Sequence, residues 1–242
     1  MASAGQPAPG EAFPPTQWTD LVRPAQGGKQ SSLAALLAIY CPPLRRYLRR
    51  RWQLAEEGAD DLLQGFLTDK VLEKRLLAAA DRTKGKFRTF LLTALEHYAI
   101  DQFRRTKGSA ASTGIEAGAD VQDDAASAQE AFDREWARQT ITQALESMSA
   151  ECQAKKRLDV WEVFQTRIVK PILDGQPEVP YQELVARFGL KSPTAAFNLL
   201  ATGKRMFERH LRSIIGAYAA DESRIDEEIA DLRRILSDVG AS

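Results

Sequence analysis

The sequence predicts an all-α protein built as two helical domains, and three observations lead there. Large apolar residues recur at three- and four-residue steps over most of the 242 residues, with no stretch that alternates convincingly as a strand. A stretch poor in large apolar residues separates an earlier set of helical patterns from a later one. Near the end of the second set, Ser192-Pro193 carries a helix-start signal, a capping hydroxyl followed by proline at the first helical position.

The elements follow in order. Met1 to Pro15 is rich in Ala, Gly and Pro and is expected to be a disordered leader (1–15), without the basic-then-apolar layout of a signal peptide. Leu33, Leu36, Leu37, Tyr40, Leu44, Tyr47 and Leu48 form the first apolar stripe, which Cys41-Pro42-Pro43 is expected to kink or break. Leu62, Leu63, Phe66, Leu67 and Val71 form the next. Phe87, Phe90, Leu91, Ala94, Leu95, Tyr98 and Phe103 form a third that is apolar on more than one side, as in a helix central to a bundle. These elements make a first domain over 16–105.

Residues 106–130 turn to Gly, Ala, Ser and acids and are expected to be a flexible acidic linker, too poor in apolar surface to offset the entropy of ordering. The second domain, 131–219, begins with helices carrying Phe132, Trp136, Ile141, Ala144 and Leu145, then Val160, Trp161, Phe164 and Ile168. Pro171 to Pro180 reads as a loop. From Tyr181 to Arg212 two helices meet at a sharp turn: Tyr181, Leu184, Val185 and Phe188 face inward, Gly189 turns, and Leu190 plugs the corner. Such a pattern serves equally as an ordinary helical hairpin or as a DNA-reading helix-turn-helix. Residues 220–242 form a C-terminal extension in which Ile225, Ile229, Leu232, Leu236 and Val239 make one stripe of an acidic amphipathic helix. It either packs as a stabilising helix or folds back near Lys204, Arg205 and Arg209 to compete with DNA.

The formal net charge is zero, but its distribution is uneven. Arg45, Arg46, Arg49, Arg50 and Arg51 cluster with no acid among them. Lys84, Lys86, Arg88, Arg104, Arg105 and Lys107 make a second basic segment. Ser109 to Asp133 has no Lys or Arg and carries Glu116, Asp120, Asp123, Asp124, Glu130 and Asp133. Two cysteines, Cys41 and Cys152, read as small buried side chains, and with only His97 and His210 no spacing suits a metal. Neither a phosphate-binding glycine loop nor a nucleophile motif occurs, so no cofactor, metal or catalytic residue is expected and the enzyme class is disfavoured. No apolar run reaches a membrane span, and a cytoplasmic location is expected.

Ala59-Asp60-Asp61-Leu62-Leu63-Gln64-Gly65-Phe66-Leu67, then Gly85-Lys86-Phe87-Arg88-Thr89-Phe90-Leu91, then Asp101-Gln102-Phe103-Arg104-Arg105, resemble the second conserved region of the extracytoplasmic-function subfamily of bacterial RNA polymerase sigma factors. The turn at Gly189 and its two helices are similar to that family's fourth region. Trp18 in Thr16-Gln17-Trp18-Thr19, with the Gln64-Gly65-Phe66 variant, resembles a planctomycete-like subgroup.

The resemblance implies a non-catalytic initiation factor that binds core RNA polymerase and directs it to promoter DNA. It implies that Asp60, Asp61, Gln64 and Phe66 meet the polymerase clamp helices. Lys86, Arg88, His97, Arg104 and Arg105 would take the downstream promoter element, with His97 where many relatives carry Asn. Thr194, Asn198, Thr202, Lys204 and Arg205 would face the upstream element, although Thr194 to Gly203 departs from the family in lacking any Lys or Arg. The acidic 109–133 stretch would be the interdomain linker, either a nucleic-acid mimic or simply a polar tether. An anti-sigma factor or a regulatory kinase is a further partner that the resemblance admits. The alternative is a sigma-derived regulatory interaction protein with weakened upstream promoter recognition.

Overall fold

The computed structural model describes residues 28–72, 86–109, 121–219 and 221–240, and every regular element among them is helical. The leader, Trp18 and residues 110–120 lie outside the described residues. The chain divides into two compact units, 1–38 and 39–242. The first is represented here only by the opening turns of helix α1; all that follows concerns the second.

Helix α1 spans Gly28–Trp52 and runs through Pro42 and Pro43 without a break. Each interior proline costs about 3 kcal/mol through its lost N–H and its ring. That cost is offset by burial of Ile39, Tyr40, Leu44, Tyr47 and Leu48 on the same helix, each at most 2% exposed. Helix α2, Glu56–Phe66, buries Ala59, Leu63 and Phe66 and continues as a π-helical stretch, Leu67–Leu72. Helix α3, Phe87–Ser109, lies so close to α2 that a Cβ on Gly65 would come 2.5 Å from the Tyr98 hydroxyl.

Helix α4 spans Val121–Ala154 and differs from the linker expected over 106–130. Residues 106–109 belong to α3 and 121–130 to α4. Alanine has the highest helix propensity, and Ala125, Ala126, Ala128 and Ala131 fill this stretch. Ala128 and Phe132 then bury completely. Composition alone had concealed this, because alanine scores low in bulk yet suits a tightly packed helix.

Helix α5, Leu158–Phe164, continues through a π-helical stretch and a closing turn to Leu173, so that only Asp174–Pro180 of the loop expected from Pro171 is non-helical. Helices α6, Tyr181–Phe188, and α7, Pro193–Gly216, form the helix-turn-helix, and α8, Glu222–Gly240, closes the unit. Helix α7 packs on α4 and α5, and α8 on α4 and α7. At the α5–α7 crossing a Cβ on Gly203 would come 2.9 Å from Phe164 Cβ, so only glycine admits this approach.

Residues 39–242 fall in one compact unit, within which Arg88 of α3 meets Glu228 of α8 and Tyr47 of α1 meets Phe132 of α4. Cys152 is buried and Cys41 half-buried, both as free thiols, and burial pushes the Cys41 thiol up to about 12. No helix among the described residues is long and apolar enough to cross a membrane.

Candidate nucleic-acid interface

The sharp turn between α6 and α7 is built as its sequence requires. Gly189 adopts a left-handed conformation (φ 62°), and the Leu190 N–H donates to the Val185 carbonyl at 3.0 Å, closing α6. Ser192 Oγ accepts from the Ala195 N–H at 3.2 Å, opening α7. Leu184, Ala196 and Leu200 lie in the core, with Phe188, Leu190 and Leu199 packed against it.

Thr194, Asn198, Thr202 and Arg205 follow one another around one stripe of α7. Thr194, Asn198, Lys204 and Arg205 are exposed and Thr202 half-exposed. The Thr202 hydroxyl donates to the Asn198 carbonyl at 2.9 Å, and an Arg205 guanidinium N–H reaches that hydroxyl at 3.5 Å. Phe197 is 56% exposed, with its ring 6.2 Å from Tyr181. An aromatic ring and an amide displayed side by side can give a thymine methyl an apolar contact and adenine a bidentate one. No signal in the apolar periodicity had marked Phe197; it sits off the buried stripe. Arg209 turns away from this face to Glu151 at 2.6 Å, where His210 also binds at 2.7 Å. Hydrogen bonds from Lys155 and Arg209 hold the Glu151 carboxyl low, at about 2.

On α2, Asp61 and Gln64 are exposed one turn apart, opposite the buried Leu63 and Phe66. Asp60 is half-buried and paired with Arg45 at 2.5 Å. Phe66 does not belong to this surface: it is fully buried, edge-to-face against Tyr98 with ring centres 5.8 Å apart. It falls on the i, i+3 stripe of Leu63, which faces α3, so its role is core packing.

The expected downstream-element residues separate into two groups. His97, Arg104 and Arg105 are exposed along α3. Arg88 is the correction: it is 6% exposed, and acids close around it. Its guanidinium meets Glu228 at 3.1 Å and Asp133 at 3.9 Å, and also binds Asp231. It lies 4.4 Å above the Trp136 ring. Lys86 is bound to Asp231 as well. The tail helix thus brings its acids to α3, and not to Lys204, Arg205 or Arg209, while its stripe of Ile225, Ile229, Leu232 and Ile235 is buried. Arg212 secures the turn into α8 by binding Glu222 and, at 2.6 Å, Asp226.

The electrostatics follow from this enclosure. Burial acts to lower the Arg88 value, but the charges of Glu228, Asp231 and Asp133 carry it upward. Burial raises the Glu228 carboxyl, and Arg88 only partly opposes it. Burial also acts to raise Asp231, but the hydrogen bond from Lys86 and the charge of Arg88 bring it below the usual carboxylate range.

A second cationic centre stays open. Arg45, Arg46, Arg49 and Arg50 of α1 face Arg134 and Arg138 of α4 across a cleft of about 950 Å³, with Glu56, Glu130 and Glu135 as its acids. Compared with models of known protein families, with curated proteins and with solved structures, the chain matches none.

Proposed function

We propose that this protein is a sigma-type transcription initiation factor that docks on core RNA polymerase through α2 and reads promoter DNA through α7, with no catalytic step of its own. The observation that carries the reading is α2. Its motif residues Asp61 and Gln64 stand exposed together on a helix whose opposite face is locked into the core. A rigid acidic and amide-bearing face of this kind suits a basic partner helix, such as a clamp helix of the polymerase. Exposed Asn198 and Phe197 on the second helix of a helix-turn-helix support DNA reading.

The test is transcription with purified core polymerase across a pool of promoters, beside polymerase binding by the double variant Asp61→Ala/Gln64→Ala. Specific initiation by the native chain, and binding weakened at least tenfold in the variant with helical content unchanged, are expected. Full-strength binding by the variant would remove α2 from the interface and the reading with it.

One observation favours a second reading. Arg88 and Lys86 are engaged by α8, and α7 carries no cation between Thr194 and Gly203, which suits a sigma-derived regulator that occupies polymerase without opening promoters. Polymerase binding without initiation at any promoter in the pool would select it.

A further inference from the structure

The arginine cleft between α1 and α4 has no part in the reading above. We infer that it is a binding site for the phosphodiester backbone of a single nucleic-acid strand.

Six guanidinium groups meet three carboxylates in this cleft, and Asp60 beside Arg45 is a fourth, so the cleft keeps a surplus of two positive charges. Several of the arginines are held by neighbouring side chains. Arg45 pairs with Asp60 at 2.5 Å, and Arg50 Nε donates to Ser127 Oγ at 2.9 Å. The buried Glu135 takes Arg138 at 2.5 Å and Arg46 at 3.8 Å. Glu135 also accepts from Gln139 at 2.9 Å. Arg46 and Arg138 still have side chains 63% and 65% exposed, so their remaining N–H groups face solvent. Arg49 is exposed and makes no ion pair or hydrogen bond among the described residues; Arg134 reaches only Glu130, at 3.7 Å. Guanidinium groups fixed by neighbouring side chains, with donors left exposed to solvent, are preorganised for phosphate.

The spacing selects the ligand. Arg45 and Arg49 are one helical turn apart, as are Arg134 and Arg138, about 6 Å along each axis. Two such rows face each other from neighbouring helices that also touch through Tyr47 and Phe132, with ring centres 6.4 Å apart. Helices that meet through side chains leave a cleft narrower than a duplex. A single strand can lie along the rows and present successive phosphates to successive turns.

The experiment needs no polymerase, so its outcome is separate from that of the sigma reading. Anisotropy of a fluorescein-labelled oligothymidylate is followed against the full chain over a series of salt concentrations, with duplex DNA and tripolyphosphate as competitors. Contacts from Arg49, Arg50, Arg134 and Arg138 give an expected salt slope of about −2.8, at about −0.7 per phosphate. Arg49→Glu/Arg134→Glu alters two exposed side chains: Arg49 only adds its charge to that of Arg45 near Asp60, and Arg134 reaches the exposed Glu130. It is expected to weaken binding at least tenfold and to flatten the slope by about 1.4. Lys155→Glu/Arg233→Glu makes the same change in net charge elsewhere and is expected to leave most of the affinity. Equal losses in the two variants would mean that bulk charge alone attracts DNA, and would overturn the site. So would absence of oligonucleotide binding, or competition by tripolyphosphate or duplex as strong as by unlabelled strand. Melting temperatures of both variants separate lost binding from lost fold.

Discussion

Two cationic centres of the same compact unit differ in how their charge is treated. Around Arg88 the charge is enclosed: Glu228, Asp231 and Asp133 surround one guanidinium that lies on the Trp136 ring with 6% of its residue surface exposed. In the α1–α4 cleft Asp60 holds Arg45 and Glu135 holds Arg46 and Arg138, while the Arg46 and Arg138 side chains stay mostly in water. The difference teaches that a basic run in a sequence has two outcomes, depending on whether acids arrive from a distant segment. A buried, fully surrounded arginine contributes mainly to which packing is adopted, and its loss leaves a carboxylate stranded. An open, half-restrained arginine contributes little to folding and is available for a ligand.

Removal of α8 tests the contrast most severely. Truncation after Ala219 exposes the sites of Ile225, Ile229, Leu232 and Ile235, now buried, and takes away Glu228 and Asp231. At about 1.5 kcal/mol or more for each buried side chain, the loss is roughly 6 kcal/mol, a large part of the stability of an ordinary domain. Chemical denaturation should show this loss. A truncated chain that stays fully folded and binds promoter DNA more tightly would instead mark α8 as a cover over Lys86 and Arg88.

Substitution within the enclosed centre comes next. Arg88→Ala leaves Glu228 buried without its cation, which is expected to cost about 3–5 kcal/mol in urea unfolding. A double variant, Arg88→Met/Glu228→Met, should recover part of that loss, since apolar side chains of similar size tolerate the site better than one unpaired charge. A loss under about 1 kcal/mol for Arg88→Ala would show that water reaches Glu228 readily and that the centre is not closed.

How far this was legible from sequence depends on the range of the interactions. The turn at Gly189 and the Ser192 cap are local patterns that fold as their residues predict, and in α8 Ile225, Ile229 and Leu232 of the expected stripe are buried and Leu236 half-buried. The partner of the α8 acids is not local. Arg88 and Glu228 are 140 residues apart, and Arg88 stands between Phe87 and Thr89 like any solvated cation. Phe66 was misassigned for a related reason: a motif marks a residue without saying which side of the helix it faces. The linker reading of 121–130 rests on low bulk hydrophobicity, whereas its alanines make that segment a good helix former.

Acid sharpens the comparison from another side. Glu135 in the cleft, despite burial, is held below the ordinary range by hydrogen bonds from Arg138 and Gln139, and Asp231 in the enclosed centre is held low by Lys86 and Arg88. A carboxyl with a depressed value binds fewer protons folded than unfolded, so its contribution is present above the unfolded value and is lost as pH falls through the folded one. Glu228 has the opposite sign, being raised by burial, and gains stability as pH falls through its folded value toward the unfolded one. Stability should therefore decline below about pH 4.5, the usual carboxylate range, and Glu135→Gln should make that decline shallower while Glu228→Gln should not. Equal slopes for the two variants in acid titrations followed by circular dichroism would contradict these assignments.

The smallest expected effect is at Arg49, and its smallness is informative. Its side chain is exposed and makes no ion pair or hydrogen bond among the described residues, so Arg49→Ala removes no buried contact and strands no acid. Surface substitutions of this kind ordinarily change stability by less than about 0.5 kcal/mol. The neighbouring Arg46→Ala is a stricter comparison, because Arg46 lies 3.8 Å from the buried Glu135, which then rests on Arg138 and Gln139 alone. Arg46→Ala should cost more than Arg49→Ala, but not more than about 1 kcal/mol, as its side chain is 63% exposed and well screened. Paired denaturation curves of the two variants measure the difference directly. If Arg49→Ala proves the more damaging, Arg49 is engaged in holding the unit together, and the cleft loses the exposed cation on which its ligand role depends.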